Sequence, residues 1–97
     1  MSDTAADAGA GAGDDLALRR KRLCYRCWHR GTKEIDLLLG PFADRFTPGM
    51  GEVELADFER LLALPDPDLY NWITKNSDVS PEHHSKVLDL IIEFYNG

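Results

Sequence analysis

The 97-residue sequence contains no long apolar run, and no stretch approaches the roughly 18 residues that a membrane-spanning helix needs. Its first residues lack the basic start and apolar segment of a secretory signal. They also contain no arginine before Arg19, unlike a mitochondrial transit peptide. We therefore expect a cytoplasmic protein of a bacterium, with the mitochondrial matrix as the less favoured location.

Cysteine is scarce, which limits metal and thiol chemistry. The two cysteines, Cys24 and Cys27, form a single C-x-x-C pair, whereas a structural zinc site normally needs four ligands. His29 and the adjacent His83 and His84 do not supply a second pair at a usual spacing. We expect no metal site, and two reduced thiols that pack on the apolar side of a helix.

Recognisable catalytic motifs are also missing. The glycines at positions 9, 11 and 13 lie in an Ala/Gly/Asp-rich segment with no strand before them, so they do not form a phosphate-binding loop. No serine or cysteine nucleophile motif accompanies the histidines. We therefore predict that the protein has no catalytic residues and is not an enzyme.

Strand patterns are absent as well, so the predicted fold class is all-α. No segment alternates apolar and polar residues with β-branched enrichment, whereas apolar residues recur at spacings of three and four. Residues 1–15 lack this periodicity and are predicted to form a disordered tail. Residues 16–97 are predicted to form a single domain, a compact bundle of five helices.

The first three helices are placed by their apolar stripes. They are expected at about 16–29, 33–46 and 52–63, with Thr32 as the N-cap of the second. Gly40 and Pro41 lie inside the second helix, but its stripe keeps its phase, so we expect one kinked helix. The residues expected to face the core are Leu16, Leu23, Cys24, Cys27, Trp28, Ile35, Leu38, Leu39, Phe42, Phe46, Leu55, Phe58, Leu61 and Leu62.

The starts of the last two helices are predicted from the dipeptides Asp66-Pro67 and Ser80-Pro81, which are typical of helix N-termini. Asp66 is expected to be the N-cap of the fourth helix, which closes near Asn76, and Ser80 is expected to be the N-cap of the fifth. Capping and the helix dipole are sufficient to explain Asp66 and Asp68, whatever other role they have. The residues expected to face the core are Leu69, Trp72, Ile73, Val87, Leu88, Ile91 and Tyr95. Both tryptophans, Trp28 and Trp72, are expected to be core residues rather than interface anchors.

Charge is distributed unevenly along the chain. The net charge is −6, yet residues 19–33 contain seven bases and no acid, and residues 34–97 contain 13 acids and four bases. Five of the bases recur at helical spacing and would share one face: Arg19, Arg22, Arg26, Arg30 and Lys33. This basic stripe is consistent with a solvated face, a nucleic-acid surface or a protein-docking surface.

The motif Arg30-Gly31-x-x-Glu34 favours protein docking. Gly31 has no side chain, so a partner backbone could approach closely, and Arg30 and Glu34 offer both charge signs. A phosphate backbone would repel Glu34, whereas a protein partner can use it. On this interpretation, Gly31→Arg is expected to abolish partner binding and leave folding nearly unchanged.

The same motif, with the following Asp36, Pro41 and Phe42, resembles the signature of the SdhE-type succinate dehydrogenase assembly factors. A second block at 66–73, Asp-Pro-Asp-Leu-Tyr-Asn-Trp-Ile, resembles the same family. The resemblance covers residues 19–76 well, the last helix loosely and the first fifteen residues not at all. It implies a small helical bundle whose partner-binding residues are Arg26, Arg30, Gly31, Lys33, Glu34, Asp36, Pro41 and Phe42.

The resemblance also implies a function. It is that of an assembly factor that binds the flavoprotein subunit of succinate dehydrogenase and promotes covalent attachment of FAD. The FAD belongs to the client, so no cofactor is expected to bind stably to this chain. Fumarate reductase is an open second client, and a monomer is expected in the free state. A nucleic-acid-binding module that uses the basic stripe remains the alternative.

Overall fold

The predicted all-α class is confirmed by the structure, a computed structural model that describes the backbone of residues 11–97 and the side chains from Asp15 onward. This part of the chain contains five α-helices: α1 (Gly11–Trp28), α2 (Lys33–Phe46), α3 (Glu52–Leu62), α4 (Asp66–Ile73) and α5 (Lys86–Asn96). Single 3₁₀ turns occur at Thr47–Gly49 and Pro81–His83. None of these helices is both long and apolar enough to cross a membrane.

The first helix begins earlier than expected. Its backbone is helical from Gly11, whereas the apolar periodicity on which the prediction relied starts at Leu16. The first ten residues of the tail predicted to be disordered lie outside the described part of the chain. At its other end α1 stops at Trp28, one residue before the predicted end.

The second helix has the predicted bounds. Thr32 has an extended backbone, and its hydroxyl accepts a hydrogen bond from the Ile35 amide at 3.5 Å, which confirms the predicted N-cap. The helix continues through Pro41 to Phe46, because the buried stripe that begins at Ile35 runs on through both sides of the proline. Local signals were sufficient here, since the cap and the apolar stripe favour the same helix.

The starts of α4 and α5 differ from the prediction. Pro65 is the N-cap residue of α4, so Asp66 is already helical and its carboxylate is available for another contact. In α5 the cap is Ser85, whose hydroxyl accepts from the Leu88 amide at 2.9 Å. The predicted cap, Ser80, instead precedes the 3₁₀ turn, and the extended backbone of His84 separates that turn from α5.

One hydrophobic core joins all five helices. Helix α1 packs against α2 and α3, and α5 packs against α2, α3 and α4. Every predicted core residue of α3 and α4 is buried, and Trp72 is among them, but Tyr95 is half exposed and the prediction for it was wrong. The buried apolar residues are Leu23, Cys27, Ile35, Leu38, Leu39, Phe42, Ala43, Met50, Leu55, Phe58, Leu61, Leu62, Leu69, Trp72, Ile73, Val87, Leu88 and Ile91.

Candidate protein-docking site

The turn between α1 and α2 is built from polar contacts within the chain. Gly31 has a φ of +124°, a conformation that L side chains rarely adopt, so the turn requires glycine there. The amide of Arg30 donates to the Asp36 carboxylate at 2.7 Å. A Cβ added at Gly31 would meet no atom within 4 Å, so the space above the turn is open. The turn is therefore fixed from within and accessible from outside.

The Arg30 side chain is directed into the protein rather than toward a partner. Its guanidinium donates to the carbonyl oxygens of Leu62 at 2.7 Å and Leu64 at 3.4 Å. It also forms an ion pair with Asp66, with Nε 2.9 Å from Oδ1. Only 12% of the Arg30 side chain is exposed. Arg30 thus donates within the fold and gives Asp66 a contact besides helix capping, while direct contact of Arg30 with a partner stays a prediction.

The ion pair brings the two sequence blocks together. Arg30 follows α1 and Asp66 begins α4, so their contact holds the start of α2 beside α4. Between these two helices lies an open cleft of about 440 Å³, here called the docking cleft. It is lined by Thr32, Glu34, Ile35, Asp66, Pro67, Tyr70 and Asn71.

The remaining predicted site residues divide into exposed and buried groups. Glu34 and Lys33 are exposed at the start of α2, and Glu34 is on the wall of the docking cleft. Arg26 is exposed on α1. Phe42 is fully buried and stacks against Phe46, with ring centroids 4.6 Å apart. In the chain by itself Phe42 is therefore a core residue, and its predicted contact with a partner stays a prediction.

Asp36 and Pro41 are intermediate cases. Both are half-buried, and the Asp36 carboxylate already accepts from the Arg30 amide. Asp36 therefore shapes the turn that presents Glu34, whereas the resemblance implied only that Asp36 binds a partner. Pro41 lies two turns beyond Glu34 along α2 and does not line the docking cleft.

The predicted basic stripe is not one continuous surface. Helix α1 ends at Trp28, so Arg30 and Lys33 do not continue its face. Arg19 forms an ion pair with Glu59, with Nη2 2.9 Å from Oε1, and this hydrogen bond raises the pKa of Arg19. The neighbouring Arg20 donates to the Met50 carbonyl at 2.7 Å. Much of the positive charge is thus used to attach α1 to α3 and to the loop before it.

Trp28 packs on the α1–α2 interface, as expected, but keeps a polar edge. Its indole lies directly over Gly40, where an added Cβ would be 2.3 Å from the ring. Its Nε1 donates to the carboxylate of Asp44 at 3.1 Å. Gly40 therefore permits the close approach of the two helices on either side of the motif turn.

The cysteines are placed for packing. Cys27 is fully buried, and this burial raises the pKa of its thiol to about 12. Cys24 is half-buried, with its sulfur 3.0 Å from the hydroxyl oxygen of Thr47. Because the core encloses Cys27 and Cys24 contacts Thr47, the geometry favours the packing interpretation.

Sequence reasoning missed two features of this site. Tyr70 and Asn71 line the docking cleft but were read only as part of the second block. Helix capping was sufficient to explain Asp66 from the sequence, so its ion pair with Arg30 was not predicted. The two blocks each contain a charged residue, Arg30 and Asp66, which are 36 positions apart and opposite in charge. This possible ion pair is the sequence feature that could have indicated the cleft.

Comparison with known proteins agrees with both blocks. A family model described as flavinator of succinate dehydrogenase matches residues 21–95. Succinate dehydrogenase assembly factor 2, mitochondrial, of Debaryomyces hansenii is 42% identical over 85 residues, which cover 84% of this chain and 60% of that protein. FAD assembly factor SdhE of Acetobacter pasteurianus is 37% identical over 90 residues, which cover 93% of this chain and 83% of that protein.

The relatives differ in length from this chain. Succinate dehydrogenase assembly factor 2, mitochondrial, of Dictyostelium discoideum is 44% identical over 72 residues, which cover 74% of this chain. The chain spans 60% and 51% of the lengths of the D. hansenii and D. discoideum proteins. The family match covers most of the described helices, including both walls of the docking cleft. The chain therefore belongs to the family of flavinators of succinate dehydrogenase.

Proposed function

We propose that this protein is an assembly factor that binds the flavoprotein subunit of succinate dehydrogenase and promotes covalent attachment of FAD to it. The family description and the names of the relatives, which are assembly factors of succinate dehydrogenase and of FAD, support this proposal. We further propose a bacterial cytoplasmic location, which is supported by the match to the A. pasteurianus protein over most of both chains.

The observation that carries the proposal is the docking cleft. The Arg30–Asp66 ion pair joins the two blocks that resemble the family, and it leaves Glu34 exposed at the edge of a concave surface. Concave surfaces with a few fixed polar groups and apolar walls are typical binding sites. Here the polar groups come from Glu34, Asp66 and Asn71, and the apolar surface comes from Ile35, Pro67 and the ring of Tyr70.

The motif residues then have separate roles. Arg30 builds the cleft, because its donors are occupied by Asp66 and two backbone carbonyls. Gly31 leaves open space in which a partner backbone can lie. Glu34, whose carboxylate is exposed, accepts hydrogen bonds from the partner. In this motif the charge of Arg30 stabilises the fold and the charge of Glu34 contacts the partner.

The mechanism that fits these roles is conformational rather than chemical. A binding protein can shift a client between two states only by its difference in affinity for them. The favoured client state would hold the acceptor side chain beside the flavin, which promotes the reaction through proximity. On this account the assembly factor supplies no reacting group, and FAD belongs to the client.

Nucleic-acid binding is the weaker candidate. Arg19, Arg20 and Arg30 bind Glu59, the Met50 carbonyl and Asp66 respectively, so they do not form a phosphate-binding track. The rest of the domain is acidic, with 13 acids and four bases in residues 34–97. No specific observation on the described surface favours this function over protein docking.

The direct test mixes purified protein with apo flavoprotein subunit and FAD. Covalent flavin is then read by fluorescence on a denaturing gel. We expect faster labelling of the subunit when the protein is present. Equal labelling rates with and without the protein, over a range of protein concentrations, would contradict the proposed function.

A further inference from the structure

A second, smaller pocket lies at the end of α1 and includes Arg30. It has a volume of about 200 Å³ and is lined by Tyr25, Arg26, His29 and Arg30, which together are here called the aromatic–basic pocket. Arg30 connects it to the cleft, since Arg30 binds Asp66 and Asp66 lines the cleft wall. The pocket and the docking cleft are thus linked through the Arg30–Asp66 ion pair.

The rings of Tyr25 and His29 form a fixed aromatic surface at the end of α1. Their centroids are 4.0 Å apart and their planes differ by 20°. The amide of His29 donates to the Arg26 carbonyl, and His29 Nδ1 lies 2.8 Å from the Tyr25 carbonyl oxygen. Because a carbonyl oxygen can only accept, Nδ1 carries the proton in this contact. The histidine thus closes the helix end and holds the tyrosine ring in place.

This surface is exposed although it is aromatic. Tyr25 keeps 65% of its area accessible while His29 stacks beside it. Tyrosine and arginine are enriched among residues that dominate binding energy in protein interfaces. An ordered, exposed tyrosine next to an exposed arginine is therefore suited to an interface, because little side-chain entropy remains to be lost on binding.

The charge of the pocket indicates what it binds. The described residues that line it include two arginines and no acid. The Arg30 charge is already paired with Asp66, so the exposed Arg26 supplies the positive charge toward a partner. Guanidinium groups bind carboxylates through two parallel hydrogen bonds. The docking cleft offers the opposite polarity through the exposed Glu34.

We propose that the aromatic–basic pocket is a second contact site for the flavoprotein subunit and binds an acidic side chain of that protein, with the carboxylate on Arg26 and the adjoining chain on the Tyr25 ring. This inference rests on the proposed function. It adds a basic contact beside the acidic cleft, so the two sites together define the orientation of the client.

The test measures affinity for the purified flavoprotein subunit by biolayer interferometry. We expect Arg26→Glu to weaken binding about tenfold or more, because it places like charges together. Lys21→Glu is the matched control, since Lys21 is exposed on α1 and its substitution makes the same charge change about 140° around the helix.

For the ring, Tyr25→Ala should weaken binding about tenfold. Its control, Tyr95→Ala, removes an exposed ring from α5 and should leave affinity unchanged.

The outcomes separate this inference from the proposed function. Absence of wild-type binding would refute the proposed function and with it this inference. Wild-type binding with equal effects of Arg26→Glu and Lys21→Glu would overturn the inference alone.

Each measurement is made with apo and with FAD-loaded subunit. Equal losses in both support a protein carboxylate, whereas a loss confined to the FAD-loaded subunit would assign the pocket to a flavin phosphate and overturn the proposal. Thermal melts confirm that each variant is folded.

Discussion

The turn between α1 and α2 and the connection between α4 and α5 join helices of one bundle by different means. The turn at 29–32 is held by an arginine, an N-cap and a glycine with positive φ. The connection at 74–85 contains His83, whose buried Nδ1 has no hydrogen-bond partner among the described residues. The first connection thus carries side-chain contacts between segments distant in sequence, whereas the second contains a buried polar atom without a partner among the described residues.

Removal of the Arg30 side chain should have the largest effect on the difference between the two connections. Arg30→Ala leaves Asp66 and the carbonyls of Leu62 and Leu64 without their donor in a partly buried site. We expect the free energy of unfolding to fall by roughly 3 kcal/mol, because breaking a buried pair strands the remaining charge. Urea denaturation measures it.

The control for Arg30 is Arg22→Ala, which removes an exposed arginine from α1 and should change stability by no more than about 0.5 kcal/mol. Equal denaturation midpoints for Arg30→Ala and wild type would show that the ion pair does not hold the two blocks together.

The two positive-φ residues, one in each connection, sharpen the comparison. Gly31 has a φ of +124° and Lys75 a φ of 64°. Gly31→Ala should destabilise by about 1–2 kcal/mol, because an L side chain is strained there although no atom is nearby. Lys75→Gly should be neutral or stabilise by up to about 1 kcal/mol, because glycine adopts positive φ without strain. Thermal unfolding of both variants provides the comparison.

This result also bears on the expectation for Gly31→Arg. Any side chain at position 31 strains the backbone, because φ is positive there. Loss of partner binding in Gly31→Arg would therefore combine this backbone strain with the loss of the partner contact. If the melting temperature of Gly31→Ala is unchanged, backbone strain at this position is negligible. Loss of binding in Gly31→Arg would then be due to the lost partner contact alone.

The smallest effect is expected at His83. Its ring lies 5.4 Å from that of Trp72, and its buried Nδ1 is unpaired among the described side chains. His83→Phe keeps an aromatic ring and removes the unsatisfied atom, so we expect a change between zero and about 1 kcal/mol of added stability. Calorimetry measures it. A clear loss of stability would indicate that this connection depends on a polar contact of His83 after all.

Local signals predicted most of the fold. The bounds of α2 follow from the Thr32 cap and from a stripe that keeps its phase through Pro41. The same kind of signal failed at α5, where Ser80-Pro81 begins a 3₁₀ turn and Ser85 forms the actual cap. Two similar caps lie five residues apart, and only packing of the later segment against the core distinguishes them.

The site was less predictable, because its main contact is not local. The motif residues were found from the sequence, but Arg30 was assigned to a partner although it binds Asp66. The basic stripe had the same weakness, since ion pairs such as Arg19–Glu59 join residues 40 positions apart. Helical spacing shows which residues share a face, but it does not show which of them find partners within the fold.

The most direct test of the docking cleft is the affinity of Glu34→Ala for the flavoprotein subunit, measured beside Glu93→Ala. Both residues are exposed acids, but Glu34 lines the cleft and Glu93 lies on α5. We predict that Glu34→Ala weakens binding about thirtyfold, or roughly 2 kcal/mol, while Glu93→Ala binds like wild type. Equal affinities for both variants and wild type would contradict the assignment of the cleft as the docking site.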